Sequence, residues 1–139
     1  MSLEKILSIS GKPGLYELVS QAKGHIIVES LETGKRLPIT GAYQINSLNN
    51  IAIYTYTEEL ALGEVLYKIF KHLDGKEAIS HKSSNTELLS FFEEVLPDYD
   101  RDRVYASHVK KIIQWYHSLL QSKFDFESLA EQESEDDAS

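Results

Sequence analysis

The chain has 139 residues, 42% of them hydrophobic, which fits one domain or two very small ones and excludes disorder along the whole length. It has no cysteine, which excludes a disulfide framework, a thiolate metal site and a cysteine nucleophile together. The formal net charge of −8 is unevenly spread: residues 1–57 hold five Lys/Arg against four Asp/Glu, residues 58–123 nine against eleven, and residues 124–139 none against seven. A near-neutral body with an acidic end argues only mildly against nucleic acid.

Residues 5–56 read as four or five short strands. Ile6 and Leu7 lie in the first, Lys5–Ser10, and Gly11-Lys12-Pro13-Gly14 is a turn, because Pro fixes φ and Gly permits positive φ. In Leu15–Ser20, Leu15, Glu17 and Val19 share one face, Tyr16 and Leu18 the other. After a turn over Gln21–Gly24, His25–Leu31 carries the β-branched cluster Ile26, Ile27 and Val28. Glu32-Thr33-Gly34 is a hairpin signal leading into Lys35–Thr40. A loop with Gly41 and Tyr43 follows, then one helical turn over Ser47–Asn50, and Ile51–Tyr56 alternates Ile51 and Ile53 with Tyr54 and Tyr56. Short strands with tight turns predict a small antiparallel SH3-like barrel, closure being one way to remove exposed edges; an open sheet covered by helices is the alternative.

Near Thr57 the apolar period changes from two to between three and four. Leu62, Val65, Leu66, Ile69, Phe70 and Leu73 form a helical stripe stopped by Asp74-Gly75. Residues 76–83 are polar and read as a loop. Ser84-Asn85-Thr86-Glu87 has capping-box spacing ahead of Leu88, Phe91, Phe92 and Val95, and Pro97 follows that helix. Asp98 or Asp100 is expected to cap the last helical stretch, whose face is Tyr105, Val109, Ile112, Ile113, Tyr116, Leu119 and Leu120. From Phe124 the periodicity ends, and residues from about 128 read as disordered. The expected organisation is therefore α+β: an SH3-like β unit over 1–57, a three-helix unit over 58–123 and an acidic, disordered tail over 124–139. The N-terminal Met1-Ser2-Leu3-Glu4-Lys5 lacks a basic segment with an apolar follow-on, and no run approaches a span of ~20 residues, so a soluble, cytoplasmic protein without membrane contact is expected.

The run Ile6-Leu7-Ser8-Ile9-Ser10-Gly11-Lys12-Pro13-Gly14-Leu15-Tyr16, the segment Ile51–Thr55, and Val104-Tyr105 with Lys110-Lys111-Ile112-Ile113-Gln114-Trp115-Tyr116 together resemble a small family from Bacteroidetes. The resemblance spans nearly the whole chain apart from the acidic end. It implies a cytoplasmic protein of this two-part layout and brings no activity, cofactor or catalytic residue with it.

No chemistry-bearing constellation outweighs its ordinary reading. Gly11-Lys12-Pro13-Gly14 is not a phosphate loop, since Pro13 removes a donor and no helix follows. His25, His72, His81, His108 and His117 contain no pair three or four apart, so no metal is expected. Glu58/Glu59, Glu93/Glu94 and Asp98/Asp100/Asp102 are explained by capping and solvation, and no Gly-x-Ser-x-Gly elbow supports a serine triad. Two surfaces stand out for binding. Lys12, Tyr16, Arg36 and Tyr43 combine aromatics and cations on the β unit; Lys35 adds a further cation there. His108, Lys111 and Trp115 lie with Val104 on one flank of the last helix, unless Trp115 packs against the β unit instead. The expected function is a non-catalytic, cofactor-free interaction module whose partner is another protein or a second copy of the chain. An RNA- or DNA-associated regulator using the barrel loops is the alternative, disfavoured because a charge of +1 over 57 residues is a poor phosphate footprint.

Overall fold

A computed structural model describes residues 3–129, apart from Pro13 and Ala42. The chain divides after Ile51 into two compact units.

The first unit is one antiparallel sheet. Its strands are β1 (Ile6–Ile9), β2 (Tyr16–Ala22), β3 (His25–Ser30), β4 (Arg36–Thr40) and β5 (Ile45–Ser47), in the order β4-β3-β2-β1-β5. Gly24 and Gly34, at φ +86° and +73°, make the hairpin reversals that an L side chain would strain. The core packs Leu7, Ile9, Tyr16, Val28 and Ile39, with Leu18, Ile26, Leu37 and Ile45 partly buried against them. A bulge between Leu18 and Ser20 shifts the β2–β3 register and leaves Val19 exposed.

Two expectations change here. No pairing joins β4 to β5 among the described residues, so the sheet is open and the expected closed barrel does not form. The edges are blunted by other means: β5 is three residues long, and β4 carries Pro38, which cannot donate, beside the charged Arg36. The strand read at Ile51–Tyr56 belongs to the second unit. There β6 (Ala52–Tyr54) pairs with β7 (Glu59–Ala61), a strand not anticipated from the sequence. The buried Thr55 makes this hairpin: its hydroxyl donates to the Glu58 carbonyl at 2.7 Å and accepts from the N–H groups of Thr57 and Glu58.

The second unit continues with α1 (Leu62–His72), α2 (Asn85–Val95) and α3 (Ala106–Gln121). Leu62, Val65, Leu66 and Ile69 of α1, Leu88, Phe91 and Phe92 of α2, and Val109, Ile112, Ile113, Tyr116 and Leu119 of α3 are buried, as the apolar stripes require. α1 stops at Asp74, φ +54°, where the Gly75 N–H returns to the Phe70 carbonyl. α2 opens with the reciprocal Ser84–Glu87 capping box. The α3 cap expected from Asp98 or Asp100 is absent, and Tyr105 holds the N-cap position. Instead His108 Nδ1 accepts the Tyr105 N–H at 3.0 Å, and Tyr105 is exposed at the helix start rather than central in its buried stripe. The loop after α1 is held by α3: the Tyr116 hydroxyl donates to the Lys76 carbonyl at 2.6 Å, and His117 Nε2 accepts the Ala78 N–H at 3.0 Å.

The acidic end also begins later than its composition suggests. Lys123, φ +62°, reverses the chain, and the Phe124 N–H returns to the Leu119 carbonyl. Phe124, Phe126 and Leu129 are then buried, so Ser128–Leu129 is ordered helical backbone rather than disordered tail. The rest of the tail, 130–139, lies outside the described residues.

Burial holds the Tyr116 phenol above its ordinary pKa of 10.0. Below that pH the proton is bound in both folded and unfolded chains. Above it the unfolded chain loses the proton first, so stability falls as pH rises through the folded pKa. Tyr116→Phe is expected to cost about 1 kcal/mol at neutral pH through the lost Lys76 bond, and to flatten the decline above pH 10.0. Urea melts of both proteins across the alkaline range check this.

Candidate interaction surface

Alternation along β6 sets up this surface. Ile53 and Thr55 point inward and are buried, which turns Tyr54 and Tyr56 to the outer face, 37% and 57% exposed. The Pro97–Arg103 segment lies alongside this hairpin through an isolated bridge: Thr55 pairs with Tyr99, the Tyr56 N–H donates to the Asp98 carbonyl, and the Asp100 N–H donates to the Tyr54 carbonyl. Because Tyr99 is the inward partner of Thr55, packed on Phe92 at 5.2 Å, Asp98 and Asp100 share the outer face with the tyrosines. Glu59 stands opposite Tyr54 on the other side.

Two arginines finish the surface. Arg101 lies over the Tyr99 ring at 4.5 Å, donates to the carbonyls of Tyr99 and Pro97, and pairs with Glu93 at 3.1 Å. Its backbone N–H donates to the Tyr56 hydroxyl at 3.2 Å. The Tyr56 hydroxyl is the largest influence raising the Arg101 pKa, ahead of the opposing effect of desolvation, so the group is a fixed cation. Arg103 lies over the Tyr54 ring at 5.1 Å and pairs with Asp100 at 3.6 Å. Exposed tyrosine beside arginine, over a rigid ladder, is the composition that carries binding energy at protein interfaces.

The residues singled out from the sequence fare differently. Lys12 and Tyr43 do come together, the ammonium 5.2 Å from the ring centre, with Tyr43 42% exposed. Arg36 is exposed but pairs with Glu29 across the β3–β4 ladder at 3.2 Å. Tyr16 is a core residue beside Leu7 and Val28 and presents no binding face. On α3, His108 and Lys111 are exposed and Trp115 is half-buried, while Val104 is buried ahead of the helix. The first unit also has an open concavity of about 390 Å³ floored by Ile26, Ile39 and Ile45 and rimmed by His25 and Thr40. Among the described residues no three His, Asp or Glu gather where a metal ion could be held, and no helix is long and apolar enough to cross a membrane.

Fold and surface together define a two-unit α+β protein with an open five-stranded sheet and a helical unit built on a small ladder. Two family models match it, each described as a domain of unknown function: DUF5606 over residues 3–48 and DUF6852 over residues 51–119, meeting where the structure divides. A solution NMR structure of a protein from Bacteroides vulgatus is similar at 45% identity and a TM-score of 0.76, over 89% of each chain. The chain belongs to this Bacteroidetes family, as its β1–β2 and α3 segments suggested. No curated protein matches it.

Proposed function

We propose that the protein is a non-catalytic, cytoplasmic interaction module that binds another protein through the outer face of the Tyr54–Tyr56 ladder. The observation that carries this reading is the pair of exposed tyrosines set beside Arg101 and Arg103 on a hydrogen-bonded ladder. Such a surface is already ordered, so a partner meets little entropic cost in organising it. The order β4-β3-β2-β1-β5 and the bulge in β2 support reading the first unit as an open, SH3-like roll. The alternative, an RNA- or DNA-associated regulator, draws its support from the Lys12–Tyr43 pair.

An affinity pull-down of the tagged protein from its own cytoplasm, with and without nuclease, separates these readings. A stoichiometric protein is expected to survive nuclease and to be lost with Tyr56→Ala. Recovery of nucleic acid, lost with Lys12→Ala and Tyr43→Ala, would replace this reading with the alternative. Capture unaffected by Tyr56→Ala would move the surface elsewhere.

A further inference from the structure

Resting on that reading, we propose that the ladder face takes a cationic, extended protein segment, a Lys or Arg side chain stacking on Tyr56 between Asp98 and neighbouring carboxylates. The face already shows this chemistry internally. Arg103 sits over Tyr54 with Asp100 as counter-ion, and Arg101 sits over Tyr99 with Glu93 as counter-ion. Both guanidiniums are thereby engaged, Arg101 with two carbonyls as well. Tyr56 meets Arg101 only through its hydroxyl: among the described residues no cation lies over its ring, and the residue is 57% exposed.

Charge decides the sign of the partner. Glu59, Glu93, Asp98 and Asp100 against Arg101 and Arg103 leave the face at −2. Asp98 is held next to Tyr56 by the Thr57 hydroxyl, 3.5 Å from its carboxylate. A phosphate backbone or an acidic segment is repelled by such a face, whereas an incoming cation gains both the ring and the carboxylates. An extended segment suits the geometry because Tyr54 ends β6 and Tyr56 follows two residues later on the same exposed side, so side chains two residues apart would meet them in turn.

The test uses the full chain and a labelled arginine- and lysine-rich peptide of mixed sequence, with a glutamate-substituted counterpart and labelled oligouridine, read by fluorescence anisotropy. The basic peptide alone is expected to bind, more weakly as salt rises. Tyr56→Ala leaves the charge unchanged and is expected to weaken binding roughly tenfold, while Tyr56→Phe retains it. Asp98→Asn is expected to weaken it as well, and Tyr43→Ala to leave it unaltered. Equal binding by Tyr56→Ala and the native chain, both folded by circular dichroism, would reduce the effect to diffuse attraction by an acidic protein and overturn the inference. So would failure of the basic peptide to bind. If the cytoplasmic partner still depends on Tyr56 in that case, the interaction-module reading stands and only the cationic segment falls.

Discussion

Phe126→Ala is expected to destabilise the second unit by about 3–5 kcal/mol, the range for deleting a buried aromatic ring. Phe126 stacks on Phe70 with ring centres 4.7 Å apart and planes within 8°, meets Phe124 edge-on at 5.3 Å, and touches Tyr116 at 5.4 Å. Four rings from α1, α3 and the chain end therefore share one packed site, and Phe126, 2% exposed, is at its centre. Truncating it removes its own burial and leaves three rings each facing a void that the helices are too rigid to close. The Tyr116–Lys76 bond depends on the same ring positions, so the loop after α1 is expected to lose protection along with the cluster. Urea denaturation gives the free energy, and amide exchange at Ala78, bonded to His117, reports the loop. A loss under about 1 kcal/mol would mean that the chain end only rests on the surface. A chain ended after Lys123 is expected to fall at least as far, because it loses Phe124 and Leu129 too.

That site shows where sequence reading stops. The apolar stripes of α1, α2 and α3 are legible because a helix turns every 3.6 residues, and the Ser84–Glu87 box and Asp74-Gly75 stop are local chemistry. The strands β1 to β4 are legible for the same local reason, alternation between glycine-bearing turns. Phe124-Asp125-Phe126-Glu127 has no period because its rings are ordered by Phe70 and Tyr116, far back in the chain, and not by neighbours. β7 and the Pro97–Arg103 segment fail in the same way. Glu59–Ala61 is three residues long, and the ladder exists only because Thr55 meets Tyr99. Tyr54 and Tyr56 were nonetheless within reach: their alternation with Ile53 already put both on one face. Tyr16 was legible as core too, sharing its face with Leu18. Lys12 and Arg36 are conspicuous as cations near turn glycines, whereas Arg101 and Arg103 alternate with Asp98, Asp100 and Asp102 and read as a solvated, mixed-charge loop.

Ile39→Ala is expected to cost the first unit about 2–5 kcal/mol, enough to abolish most of the protection of its sheet. The unit ends at Ile51, and a single core in a segment below about 70 residues rarely supplies more than 3–5 kcal/mol. Ile39 is 1% exposed and is one of five buried residues in its cluster, on an edge strand held from one side only by β3. Its side chain also lies in the floor of the open concavity with Ile26 and Ile45. Truncation there enlarges a space that water can enter, so no sealed void is created and the cost belongs in the lower half of that range. Even so, the loss is comparable with the whole stability of so small a core. Amide exchange of Val28 and Leu18, paired in the β2–β3 ladder, is expected to accelerate roughly 30- to 300-fold, since each ~1.4 kcal/mol is tenfold. Ile39→Val is expected to cost only about 0.5–1.5 kcal/mol, and Val19→Ala, on the exposed bulge, within about 0.5. If Ile39→Ala leaves those amides as protected as in the native chain, the sheet is not held by this cluster, and the edge strand β4 is dispensable to it.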